Sequence, residues 1–155
     1  MIEKHQVGLY LLKDTAFMRI QKSTVLPIAM NPQTESYDYI SDESPTEELK
    51  KYKKSIDQDM TAIKGEPDYE LIWDYYFNMK TGTDAKTEVM IVYFEMPGTL
   101  PNTFLAEKAE CTISVTDYDA VASKLNFQIF FGGTVEQGTA ALTLGVPTFT
   151  PNSAV

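Results

Sequence analysis

The side chains that could do chemistry in this sequence are few, beginning with a single histidine, His5. A Ser-His-Asp or Cys-His site would need His5 as its base, and His5 lies close to the first residue, where backbones commonly fray. A base of this kind needs rigid surroundings to hold its geometry. The sequence also contains no CxxC, HExxH, Walker A or GxGxxG motif. We therefore expect no enzyme activity and no cofactor.

Two pairs of acidic residues could in principle hold a cation. Asp57 and Asp59 share one face of a predicted strand, while Asp117 and Asp119 flank a tyrosine in a predicted turn. Hard cations prefer about six oxygen ligands, which neither pair supplies. A solvated strand face and ordinary turn chemistry explain the pairs, so no metal is predicted.

Three further features have structural explanations. Cys111 lies in an apolar alternation, which indicates a small buried side chain without an internal disulfide partner. The sequence KKYKK at 50–54 could suit nucleic acid, but four acidic residues lie just upstream, which favours charge pairing within the chain or with a neighbouring subunit. Gly132 and Gly133 are predicted to form a turn at the end of a strand.

Composition favours one domain over residues 1–155, with 43% hydrophobic residues to form its core. The formal charge of −9 disfavours attraction to nucleic acid phosphates or to an anionic membrane. No segment approaches the roughly 20 apolar residues that span a bilayer. We expect a soluble protein without a membrane anchor, made in a cytoplasm.

The first half of the chain predicts strands at 7–12, from 18, at 33–41 and at 55–63. Between the last two lies a charged segment, 41–54. Ser44 can act as its N-cap, Pro45 suits the first helical position, and Glu47 completes a capping box. Because the segment has only two large apolar side chains, we expect a flexible charged loop or a short helix there.

A single amphipathic helix is predicted over 67–80, with Pro67 at its start and Gly82 just beyond its end. Its apolar residues recur with helical spacing and are predicted to face the core: Tyr69, Ile72, Trp73, Tyr76 and Phe77. The alternative, that this stripe lines a ligand pocket, is less typical of helical spacing.

The second half predicts antiparallel strands. Residues 89–94 are apolar on both faces, as in a central strand with one side under the helix, and three later segments alternate apolar with polar residues. The fold class is therefore mainly β (α+β): an antiparallel β-sandwich or partly closed barrel with one helix packed against it and a long charged loop. Residues 150–155 are expected to form a flexible tail.

This order of elements resembles the major tail tube proteins of long-tailed phages. The resemblance lies in TESYDYISDESPTEE before the charged loop, in GEPDYELIWDYYFNMKTG at the helix, and in TISVTDYDAVASKLNFQIFFGGTVEQGTA near the end. It implies a structural virion protein, made in the host cytoplasm, whose hexameric rings stack into a tube with a negatively charged lumen for double-stranded DNA. The implied partners are other copies of the chain, the tape measure, the terminator and the baseplate.

The resemblance also suggests two sets of contact residues. In this family the long loop contacts the adjacent ring, and its candidates here are Asp42, Glu43, Glu47, Glu48, Lys50, Lys51, Lys53 and Lys54. The candidates for the lumen face are Lys108, Glu110, Thr112, Ser114, Lys124, Asn126 and Gln128. The two lysines of the second set are unexpected on an acidic wall.

Other functions remain open from the sequence. A tail terminator or a baseplate component would use the same fold to cap a tube. A carbohydrate-binding β-sandwich is an alternative of a different class, in which tyrosines stack on sugars, namely Tyr37, Tyr39, Tyr75 and Tyr118. An enzyme is the third alternative.

Overall fold

The computed structural model of the chain describes residues 1, 6–13, 15–23, 26–41, 43–143 and 145–151, so His5 and Asp42 lie outside the described residues. The elements are, in chain order, β1 (Val7–Lys13), β2 (Ala16–Arg19), β3 (Ile28–Ala29), β4 (Pro32–Tyr37), β5 (Thr46–Tyr52), β6 (Ser55–Thr61), α1 (Pro67–Phe77), a short 3-10 helix (Gly82–Ala85), β7 (Lys86–Pro97), β8 (Thr103–Asp119), β9 (Lys124–Thr143) and β10 (Val146–Pro151). None of the described helices is both long and apolar enough to cross a membrane.

An antiparallel sheet of eight strands forms the body, in the order β2-β1-β7-β8-β9-β6-β3, with β10 also paired to β9. Residues 89–92 of β7 are fully buried, which confirms the predicted central strand. Ile91 faces the main core under α1, whereas Met90 faces a second, smaller core on the other side of the sheet. The sheet does not close into a barrel. The predicted class, a mainly β sandwich with one packed helix, is confirmed.

Strand β9 corrects the prediction about the glycine-rich stretch. The expected turn at Gly132 and Gly133 is wrong, because β9 runs without a break through this stretch. Its pairing with β8 shifts between Lys108 opposite Glu136 and Glu110 opposite Gly132, so β9 bulges there. Gly133 adopts a φ of 62°, which suits a glycine and lets the strand accommodate extra residues instead of ending.

The helix begins at Pro67 as predicted but ends at Phe77, three residues early. Met79, with a φ of 46°, adopts the left-handed conformation that ends the helix, and Gly82 instead opens the 3-10 helix. The buried face also differs from the predicted stripe, since it consists of Asp68, Leu71, Ile72 and Tyr75. Only Ile72 belongs to both sets.

Asp68 explains this rotation of the helix. Its Oδ2 accepts hydrogen bonds from the backbone N–H groups of Gln21 and Lys22 at 3.1 and 3.0 Å, and its Oδ1 accepts one from Tyr69 at 2.9 Å. A buried carboxylate is tolerated when several donors satisfy it, so these bonds turn the Asp68 side of α1 inward. Tyr76 and Phe77 are thereby left exposed, and Trp73 is partly exposed, while Tyr69 stays partly buried against the main core.

The charged segment forms a β-hairpin, and the predicted short helix is wrong. Strand β5 pairs with β4 in a separate two-stranded sheet, so its backbone hydrogen bonds go to a strand rather than along a helix. At the base, the N–H of Lys53 bonds the carbonyl of Met30 at 3.1 Å, and Asn31 adopts a φ of 45°. The pairs β3–β6 and β4–β5 are thus two parts of one long, kinked hairpin. The last two residues of β10, 150 and 151, occupy the start of the predicted tail.

Candidate assembly surfaces

One face of strands β8, β9 and β6 is polar, and it gathers most of the predicted lumen residues. Directly opposed residues of paired strands lie on the same face. The register forms four rows across β8, β9 and β6: Thr112–Phe130–Ser55, Ser114–Gln128–Asp57, Asp117–Asn126–Asp59 and Asp119–Lys124–Thr61. We call this surface the acidic face. The carboxylates of Asp57 and Asp59 join it only through the register of β6, which the sequence did not reveal.

The charges of the acidic face are predominantly negative. Lys124 is its only lysine in these rows, and its Nζ lies 3.4 Å from Asp59 Oδ1 and 3.3 Å from Thr61 Oγ1. Asn126 Nδ2 donates to Asp117 Oδ1 at 3.0 Å. The lysine that was unexpected on an acidic wall is therefore neutralised by its neighbour. Among the described residues, no three histidine, cysteine or acidic side chains converge on a metal-sized site.

The other two predicted lumen residues lie at the bulge of β9. Lys108 and Glu110 line a depression of about 290 Å³ together with Glu88 and Glu136. Lys108 Nζ also lies 5.2 Å from the centre of the Phe149 ring, a cation–π distance. This lysine, too, lies among carboxylates, so the polar surface remains acidic from Asp119 back to Lys108 of β8.

The hairpin of β4 and β5 carries the predicted inter-ring residues on an exposed surface. Every residue of β5 is exposed, as are five of the six residues of β4. Lys50 Nζ lies 3.2 Å from Glu48 and 3.6 Å from Glu35, and it sits 5.1 Å from the Tyr37 ring. Hydrogen bonds to Tyr37 and then Glu48 raise the pKa of Lys50. Glu43, Glu47, Lys51 and Lys53 are exposed as well.

Lys54 differs from the other candidates, because its side chain forms an ion pair with a residue of the main sheet. Its Nζ lies 2.7 Å from Glu107 Oε2, and the two side chains are only 17% and 8% exposed. The Tyr93 hydroxyl donates to the other carboxylate oxygen of Glu107 at 2.8 Å. Burial, followed by this hydrogen bond, raises the pKa of Tyr93. Lys54 is thus paired within its own chain, and removing it would leave Glu107 charged and buried, so its role in docking stays a prediction that its pairing does not favour.

A third surface lies beside α1, where Tyr76 and Phe77 of the predicted core stripe reach solvent. Trp73 stacks on Phe77 at 5.8 Å and packs against Tyr76 at 5.1 Å and Tyr118 at 5.6 Å. Phe77 is 68% exposed. We call the set formed by Tyr69, Trp73, Tyr76, Phe77 and Tyr118 the aromatic patch.

The aromatic patch lies next to an unpaired strand edge. Pairing between β7 and β8 ends at Lys86 opposite Thr112, so residues 113–119 of β8 pair with β9 alone among the described strands. We call this stretch the open edge. A groove of about 490 Å³ runs between its residues 113–117 and the end of α1, where Tyr76 and Met79 line it.

Comparisons with known proteins agree on the fold. No protein-family model matches the chain, and no curated protein matches it in sequence. One similar solved structure is a chain of the tail of an empty gene transfer agent particle, computed with helical refinement and C6 symmetry. It shares 11% identity at a TM-score of 0.61, over 87% of this chain and 97% of that one.

Two further structures extend the likeness. A chain of the virion of a native gene transfer agent particle has 12% identity and a TM-score of 0.59, over 88% of this chain and 98% of that one. A chain of the sheath/tube terminator of an extracellular contractile injection system has 12% identity and a TM-score of 0.52, over 88% and 96%. The chain thus shares its fold with chains of phage-like tails and of a contractile injection system.

Proposed function

We propose that this chain is a structural tail protein whose hexameric rings stack into a tube, and that the lumen of this tube conducts DNA. The observation that carries the proposal is the shared fold with a chain of a C6-symmetric tail, over nearly the full length of both chains. Such a protein would reside in a virion tail after assembly from the host cytoplasm. Its partners would be further copies of itself, the tape measure, the terminator and the baseplate.

The acidic face has the chemistry expected of the tube wall. A wall that bound phosphates would slow the DNA, whereas a wall of like charge keeps the polymer hydrated and mobile. Asp57 and Asp59 of β6 and Asp117 of β8 provide that charge on one sheet, and the one lysine in these rows is paired. We therefore assign this face to the lumen.

Electron microscopy of the purified protein tests the assembly. Negative staining after concentration should show rings and hollow rods. Cysteines replacing Ser114 or Gln128 should react with a bulky maleimide in the dispersed protein and should be protected in rods. A cysteine replacing the exposed Leu100 is the matched control for reagent access. Equal reaction at Ser114→Cys in rods and in dispersed protein would contradict the assignment of the lumen.

The electrostatic role of the wall has its own test. Wild-type rods should not retain double-stranded DNA at low salt, while rods with Asp57→Lys and Asp117→Lys should retain it, because two repeated cations then face the channel. The two changed side chains are exposed, so the fold should tolerate them. DNA retention by wild-type rods would contradict an anionic conduit.

A tube terminator is the second candidate, and it is favoured by the likeness to a chain of a sheath/tube terminator structure. A terminator caps a tube and does not repeat in it. Stable single rings that fail to lengthen at high concentration would select the terminator, and rods would select the repeating tube protein.

A further inference from the structure

We draw no further inference here: the strongest candidate, the groove of about 490 Å³ between the open edge of β8 and the end of α1, has an unpaired strand edge among the described strands and exposed apolar side chains beside it, but nothing in the structure shows what covers it.

Discussion

The body of the sheet and the β4–β5 hairpin differ in how far their residues are buried. In β7, the residues at 89–92 are completely buried and pack into a core on each face of the sheet. In β5, every residue is exposed, and the strand has a partner on one edge only. The body therefore has cores of its own, whereas the residues of β5 are exposed and its outer backbone edge has no partner among the described strands. The difference distinguishes a folding unit from an exposed hairpin, which we propose is a surface for association.

One buried ion pair joins the two regions. Lys54 follows β5 in the chain, and its ammonium group is held by Glu107 of β8, which also accepts a hydrogen bond from Tyr93. Ion pairs with this little exposure hold a defined geometry, because breaking them leaves an unpaired charge inside the protein. The direction of the hairpin is thus fixed at its base while its strands remain open to a partner.

Thiol reactivity should show the largest contrast between the two regions. Burial raises the pKa of Cys111 to about 12, so the thiol stays protonated, and unreactive, at pH 8. A cysteine placed in the hairpin by Leu49→Cys should react about a thousandfold faster with a thiol-disulfide reagent. Stopped-flow absorbance measures both rates, and urea should make them equal. Comparable rates in the native protein would contradict the difference in burial between Cys111 and the hairpin.

A cavity in the body should cost the most stability. Phe127 is fully buried in the main core, and Phe127→Ala should lower the free energy of unfolding by about 4 kcal/mol through lost burial and a residual cavity. Chemical denaturation followed by tryptophan fluorescence measures the change. The hairpin variant Leu49→Ala serves as the control. A loss below about 1 kcal/mol would mean that this core is not packed as described.

Breaking the ion pair at the base should have the next largest effect. Lys54→Met leaves Glu107 buried without its partner and should lower the free energy of unfolding by about 3 kcal/mol. Lys53→Met removes an exposed lysine one position earlier and should change stability by less than about 0.5 kcal/mol. Equal effects of the two substitutions would show that Lys54 is not buried in the folded protein.

The hairpin itself should contribute least to the stability of a single subunit. Leu49→Ala should alter the free energy of unfolding by less than about 0.5 kcal/mol, because its side chain is about half exposed. Hydrogen exchange should find the amides of β5 weakly protected in the dispersed subunit and strongly protected in rods. Strong protection of β5 before assembly would mean that the hairpin is already stabilised within one chain.

The sequence predicted the body far better than the hairpin, for a physical reason. The alternation of apolar and polar residues along 107–115 indicates a strand buried on one face, and the apolar run in β7 indicates a strand buried on both faces. The structure has both strands. The capping signals at Ser44 and Glu47 are local, whereas the strand that β5 pairs with begins at Pro32. A partner so distant in sequence outweighs weak helical signals.

The assignment of surface residues from the sequence is also limited, because it depends on partners that are distant in the chain. Ser114 and Gln128 could be assigned to one polar face from alternation alone, and the register confirms that they are opposed. That Asp57 belongs to this face requires the pairing of β6 with β9, and the pairing of Lys54 with Glu107 joins residues 53 positions apart. On α1, the aromatic spacing predicted the inward side incorrectly, because Asp68 finds its donors in a segment before the helix.

The most direct test of the account is a cryo-electron microscopy reconstruction of the assembled protein. We expect six subunits per ring and a central channel lined by the acidic face, which carries Asp57, Asp117 and Gln128. A filament without a channel, or one with this face on the outside, would contradict it.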